Sequence, residues 1–139
     1  METYKYLIIG GGAAGTSCAE TVRKEDPEGT IAIVSDEIHP LYSRVMLSKP
    51  NFFLGKIPFE KIWLKGKEWY EINKIVFIGG KMAIDLDAEN KVLTLDDGKR
   101  ISYDKLLVAT GVRTRPWNVK GSDKKGIHHH GRAHPHCKS

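Results

Sequence analysis

The chain has 139 residues, 40% hydrophobic and 28% charged, which is enough for one domain with its own core and for one large ligand site. No apolar run approaches the roughly 18 residues of a helical membrane span, so no membrane partner is expected. The formal charge is +5, but most of the excess comes from Lys120, Lys124, Lys125, Arg132 and Lys138 near the carboxyl end, leaving the body almost neutral and giving no reason to expect a nucleic-acid partner.

The chain opens without the charged, apolar and small-residue pattern of a secretory signal. Its two cysteines, Cys18 and Cys137, form neither a disulfide framework nor a metal-ligand pattern. Cytoplasmic residence is the expectation. Residues 4–9 become solidly apolar at Leu7-Ile8-Ile9, as suits a central strand covered on both faces. Glycines end it, and residues 13–24 carry good helix formers with Ala14, Cys18 and Val22 four apart on one face and Glu20, Arg23 and Lys24 off it. Asp26-Pro27-Glu28-Gly29 breaks that helix. The β-branched, apolar residues 30–34 then predict a second strand, which ends at Asp36 and Glu37.

Between residues 39 and 69 no period holds. Pro40, Pro50 and Pro58 punctuate short helix-like pieces at 44–48 and 59–63, which predicts a long excursion over a ligand site. Short strands are expected at 75–78, 81–87, 91–95 and 100–102, with Asp96-Asp97-Gly98 as a turn. A buried strand at 106–109 runs into Ala109-Thr110-Gly111. From Gly126 there is no apolar period at all. Five histidines and Cys137 in that tail have the chemistry of transition-metal ligands, but a vector-derived remnant or a reading frame lost near His130 is the stronger reading, and no metal site is expected.

Gly10-Gly11-Gly12-Ala13-Ala14-Gly15 satisfies Gly-x-Gly-x-x-Gly between a strand and a helix. Gly10 permits the tight turn, Gly12 lets backbone approach a diphosphate, and Gly15 lets the helix lie close on the strand. The helix amino terminus offers N–H groups and a positive dipole end to the phosphates. Asp36 and Glu37 follow at about 20 residues, where a ribose diol needs an acceptor. This is a dinucleotide fingerprint in context, but NAD and FAD share the adenosine diphosphate that it reads.

Leu41-Tyr42-Ser43-Arg44-Val45-Met46-Leu47-Ser48-Lys49 resembles the loop, commonly Pro-Tyr-x-Arg-Pro-Pro-Leu-Ser-Lys, of ferredoxin and rubredoxin reductases and apoptosis-inducing factor, within the FAD-dependent pyridine nucleotide-disulfide oxidoreductases. Residues 91–111, with the Asp-Asp-Gly turn and the apolar strand into Ala-Thr-Gly, look like the second FAD motif of the same proteins. The resemblance implies an α/β, doubly wound, Rossmann-like parallel sheet with a small antiparallel β insertion. Residues 1–125 would be a partial FAD-binding domain and 126–139 an unstructured or non-native tail. It also implies that Gly12, Ala13 and Ala14 meet the FAD diphosphate, Asp36 or Glu37 the adenosine ribose, and the Ala83 backbone the adenine edge. Arg44 and Lys49 would place charge near the diphosphate and flavin. Ala109, Thr110 and Gly111 would pack by the cofactor, within reach of Arg115.

Two departures qualify the likeness. Val45-Met46 replaces Pro-Pro, and a second glycine fingerprint, the later Gly-Asp segment that closes an FAD site and an interface domain are all missing from these residues. No redox Cys-x-x-x-x-Cys pair is present, and no general acid or base is expected. The resemblance therefore implies the FAD portion of an enzyme that takes hydride from NAD(P)H and passes electrons through FAD to a carrier such as rubredoxin or ferredoxin, or to a small acceptor. The alternatives are a truncated, inactive FAD- or ADP-binding module and a stand-alone NAD-binding Rossmann domain.

Overall fold

A computed structural model describes residues 1–113, 115 and 117–127. The tail expected from residue 126 therefore lies almost wholly outside the described residues. The chain forms two units, residues 1–42 with 63–111, and residues 43–62 with the segment from 112 onward.

The first unit holds a six-stranded sheet. Strand β1 (Glu2–Ile9) leads into helix α1 (Ala13–Glu25) and strand β2 (Ile31–Ser35). In the second unit, tight turns at Arg44–Ser48 and Phe59–Ile62 flank the short helix α2 (Pro50–Phe53). Ser43 N–H closes that segment on the Ile62 carbonyl at 2.8 Å. The first unit resumes with helix α3 (Lys67–Ile72) and strands β3 (Ile75–Gly79), β4 (Ala83–Asp87), β5 (Val92–Leu95) and β6 (Arg100–Val108). Strand order is β3-β2-β1-β6-β5-β4. The first four strands are parallel, and β5 and β4 continue the sheet antiparallel, so the expected α/β architecture is present with its antiparallel ribbon.

Two apolar layers hold the sheet, because successive side chains on each strand point to opposite faces. Ile8, Ile31, Ile33 and Ile75 pack with Ala19 of α1 and Tyr70 of α3. On the opposite side Leu7, Ile9, Ala32 and Val34 pack with Leu93, Leu95, Ile101 and Tyr103. Among the described residues, that second layer is completed by side chains of β5 and β6 and holds no helix residue. β2 is buried at every residue, which explains its unbroken apolar run.

Three sequence expectations need correction. The strands expected at 100–102 and 106–109 are one continuous strand. Its first part pairs with β5 while the whole of it runs along β1, so Asp104 and Lys105 do not interrupt it. Helix α3 straddles the end of the excursion and is six residues long, too short for a period to show. The inner face of α1 is centred on Gly15, Thr16 and Ala19. Cys18 and Val22 lie at its margin and Ala14 is exposed: small residues, not the larger apolar ones, allow the close contact.

At the amino-terminal ends of the strands, one guanidinium joins two turns. Arg23 Nε donates to the Asn73 carbonyl at 2.7 Å, and its Nη1 and Nη2 donate to the carbonyls of Asp26, Pro27, Gly29 and Lys74 at 2.8–3.1 Å. Asp26 completes this corner, accepting from Lys5 Nζ at 2.7 Å, the Tyr6 hydroxyl at 3.0 Å and the Gly29 N–H at 2.9 Å. The Lys5 ammonium, then the Tyr6 hydroxyl, hold the Asp26 carboxyl down at about 2.

Arg23→Ala is expected to lower unfolding free energy by about 3 kcal/mol, since charge-assisted bonds to otherwise orphaned carbonyls are lost; urea unfolding reads this, and a loss under about 1 kcal/mol would contradict it. Because folding depresses the Asp26 pKa, its contribution is present above the ordinary value of 3.8 and is lost as pH falls through about 2. The stability gap between the unsubstituted chain and Asp26→Asn should narrow across that window. A gap independent of pH would contradict the assignment.

Candidate functional site

The order β3-β2-β1-β6 reverses the direction of chain progress at β1: the chain leaves β1 toward β2 on one side, and β6 arrives on the other. In such sheets a crevice opens beyond the carboxyl ends of the strands at this switch point. Residues 10–15 lie there. Gly10 N–H donates to the Val34 carbonyl at 2.8 Å, and Ala109 N–H to the Ile9 carbonyl at 2.8 Å, so the loop is held between the ends of β2 and β6.

The fingerprint glycines differ in what surrounds them. Gly10 has φ +118°, and a Cβ there would lie 2.1 Å from the Ala109 carbonyl oxygen. A Cβ on Gly15 would lie 1.9 Å from the Gly10 carbonyl oxygen and 3.0 Å from Ile8 Cγ2. Those two positions are closed by the protein itself. A Cβ on Gly12 would meet nothing within 4 Å. Gly12 is the N-cap of α1, no side chain caps the helix, and its first turn carries no acid. Thr16 N–H bonds the Gly12 carbonyl at 3.0 Å, and Ala13 and Ala14 are exposed. The open space therefore faces a helix terminus with backbone N–H groups and a positive dipole end but no competing carboxylate. This donor set fits the diphosphate of a dinucleotide.

The acidic end of β2 is tied to the same region. Ser35 Oγ accepts the Glu37 N–H at 3.2 Å. Gly80 N–H reaches the Glu37 carbonyl at 3.2 Å, and Lys81 N–H the Ser35 carbonyl at 3.0 Å. Tyr42 donates its hydroxyl to Glu37 Oε2 at 2.5 Å. Asp36 is exposed and Glu37 half-buried. Ala83 opens β4 beside a bulge and packs against the core layer that contains Val34. Lys81 pairs with Asp97 at 2.8 Å; that bond raises the lysine pKa and lowers that of the aspartate. Thr110 and Gly111 follow β6 and are exposed, with Gly111 at φ +68°.

The structure thus gathers Gly10, Gly12, Ala13, Ala14, Gly15, Asp36, Glu37, Ala83, Ala109, Thr110 and Gly111 in the first unit. Arg44, Lys49 and Arg115 belong to the second, where all three are exposed and Arg44 begins the turn Arg44–Ser48. Sequence reasoning left out Ser35, Tyr42 and Lys81. Tyr42 stood inside a quoted motif, but nothing in a segment without a period ties its hydroxyl to a carboxylate. Cys18 is half-buried and burial pushes its thiol pKa up, which suits a packing role. No described helix is long and apolar enough to cross a membrane, and no metal-ligand cluster occurs among the described residues.

The sequence matches the pyridine nucleotide-disulphide oxidoreductase family over residues 4–139. The chain belongs to that family. Its members use FAD and NAD(P)H. The chain is 36% identical over 121 residues to the ferredoxin–NAD(+) reductase component of the biphenyl dioxygenase system of Paraburkholderia xenovorans, covering 87% of this chain and 29% of the relative. It is 33% identical over 129 residues to the assimilatory nitrate reductase electron transfer subunit of Bacillus subtilis, covering 92% of this chain and 16% of that protein. The crystal structure of NADH:rubredoxin oxidoreductase from Clostridium acetobutylicum superposes with a TM-score of 0.78 at 30% identity, over 88% of this chain and 32% of that one. The chain therefore spans less than a third of the length of these family members.

The contrast among the glycines makes a stability prediction. Gly10→Ala and Gly15→Ala should each cost on the order of 3 kcal/mol or more, because backbone must move. Gly12→Ala should cost less than about 1 kcal/mol. Thermal unfolding of the three variants would contradict this if Gly12→Ala were the most damaging.

Proposed function

We propose that residues 1–125 are a partial FAD-binding domain, and that the protein to which they belong transfers electrons from NAD(P)H through FAD to a redox carrier of the rubredoxin or ferredoxin kind, or to a small acceptor, in the cytoplasm. One observation carries the reading: a glycine loop open only at Gly12 faces an uncapped helix terminus, at the same end of the sheet as Glu37. The reductase names of the relatives support the acceptor class.

In this reading Gly10 and Gly15 shape the turn, while Gly12, Ala13 and Ala14 present N–H groups to the diphosphate. Asp36 or Glu37 accepts the ribose diol, and the Ala83 backbone meets the adenine edge. Ala109, Thr110 and Gly111 line the cofactor. Arg44, Lys49 and Arg115 supply positive charge to the diphosphate and the flavin side, where a cation favours electron-rich states. Bound FAD supplies the two-electron and one-electron chemistry that links a hydride donor to a carrier. This chain's residues bind and orient it, and none is assigned as a general acid or base.

The test is an absorbance spectrum of the purified chain after addition of FAD and gel filtration. Flavin bands that travel with the protein, and an affinity at least tenfold weaker for the folded Gly12→Ala variant, are the expected result. Retention of ADP without FAD would instead favour an adenine-nucleotide module, and unchanged flavin binding by Gly12→Ala would remove the diphosphate from this loop.

A further inference from the structure

We propose that Asp97 is a latent self-modification site, at which the main chain rearranges to isoaspartate, and that the Lys81 ammonium is the group that holds this reaction in check. The inference stands apart from the cofactor proposed above.

Asp97-Gly98 is the only aspartate–glycine or asparagine–glycine pair in the sequence, and it lies in the exposed turn between β5 and β6. A glycine nitrogen has no Cβ beside it to shield its approach to the side-chain carbonyl carbon of the residue before it. A C–N bond forms there, the O–H group of the neutral carboxyl leaves with the amide proton as water, and a five-membered imide closes. Water then opens the imide at either carbonyl. One product is aspartate again, and the other is isoaspartate, whose main chain is longer by one methylene. No electron is transferred, and water is the only co-reactant. A Cβ at Gly98 would meet nothing within 4 Å, so packing does not bar the rearrangement.

What bars it is a set of bonds on both reacting groups. Lys81 Nζ lies 2.8 Å from Asp97 Oδ2, and the Lys99 N–H donates to Oδ1 at 3.0 Å. The lysine first, and the Lys99 N–H after it, hold the carboxyl below its ordinary pKa, away from the neutral form that loses water. The nucleophile is engaged as well, because the Gly98 N–H donates to the Leu95 carbonyl at 2.9 Å. Of these three bonds only the first comes from outside the turn, so Lys81 is the guard that one substitution removes while the turn keeps its own. The same lysine ties the turn to the sheet: its N–H donates to the Ser35 carbonyl at 3.0 Å, and the Asp96 N–H donates to the carbonyl of the next residue, Met82, at 2.9 Å. Isoaspartate would lengthen a turn that the Leu95 N–H closes on the Lys99 carbonyl at 2.9 Å, and would move the carboxylate away from its lysine.

The experiment ages the unsubstituted chain, Lys81→Gln, Lys81→Arg and Arg23→Ala at neutral pH, each in urea and at a temperature where its melt shows the folded chain. Isoaspartate at residue 97 is read by enzymatic methylation from S-adenosylmethionine followed by peptide mapping. In urea all four chains should isomerise at one rate, since the guard is absent. Folded, the unsubstituted chain should be slower than in urea by about tenfold or more, the scale of one charge-assisted hydrogen bond. Lys81→Gln should recover most of that factor, and Lys81→Arg, which keeps the charge, little of it. Arg23→Ala separates local guarding from loss of the fold: it removes bonds at the α1–β2 turn and none at the β5–β6 turn, and should leave the folded rate within about twofold of the unsubstituted chain. Three results overturn the proposal: a folded rate that Lys81→Gln leaves unchanged, a rise in Arg23→Ala as large as in Lys81→Gln, or equal rates in the folded and urea-unfolded unsubstituted chain.

Discussion

The carbonyl oxygens of Ala109 and Gly10 occupy the places where side chains on Gly10 and Gly15 would project. That double close approach sets the distance between β1 and β6 at their carboxyl ends and lets α1 settle on the sheet. Ala19, fully buried, then reaches Ile8, Ile31 and Ile33. A wider loop would lift the helix, and the apolar layer beneath it would lose its cover at roughly 25 cal/mol for each Å² re-exposed. The squeeze also points the first turn of α1 into the space that Gly12 leaves open. One run of six residues thus combines positions closed by packing at its two ends with open ones at Gly12, Ala13 and Ala14.

The two ends of the sheet are built for opposite purposes. At the amino-terminal ends, Arg23 collects carbonyls from the α1–β2 turn and from the turn before β3, and Asp26 gathers Lys5, Tyr6 and Gly29. Polar groups there are spent on one another. At the carboxyl ends, the α1 terminus has no side-chain cap and no acid in its first turn, and the loops carry exposed backbone at Thr110 and Gly111. Satisfied polar groups stabilise but recognise nothing, while donors left toward open space recognise at a cost in stability. Substitutions at the first end should therefore register in unfolding and those at Gly12 in binding.

How much of this was legible from sequence depended on whether the governing pattern was local. The glycine spacing, the buried run of β2 and the Asp-Asp-Gly turn are set within a few residues, and each lies where the sequence places it. The join of residues 100–102 and 106–109 into β6 was hidden by Asp104 and Lys105, which are exposed where β6 runs along β1. The sequence places Arg23 off the apolar face of the helix and says nothing of a partner. Its partners Asn73 and Lys74 lie some 50 residues away, and no periodicity encodes such a bond. Tyr42 and Glu37 are close in sequence, but the bridge and hydrogen bond that seat Tyr42 and Leu41 run to Trp63 and Leu64, which no local period ties to them.

On the proposed reading, labour is divided between the units. Every assigned residue of the first unit bears on adenosine diphosphate or on the strand ends that cradle it. The exposed cations Arg44, Lys49 and Arg115 belong to the second. Adenosine diphosphate is common to FAD and NAD, so the first unit can supply affinity but little choice between them. That choice must come from elements that see the rest of the cofactor, and the segment around Arg44–Ser48 carries Val45-Met46 where the loop it resembles has paired prolines. Two prolines restrict φ at consecutive positions and stiffen a loop through the entropy of its unfolded state. Without them the turn must be held by its own bonds, Met46 N–H to the Ser43 carbonyl at 3.1 Å and Lys49 N–H to the Met46 carbonyl at 3.0 Å, with Leu47 buried. Burial of Leu47 and these two backbone bonds thus hold the segment that carries Arg44, where consecutive prolines would have restricted φ directly.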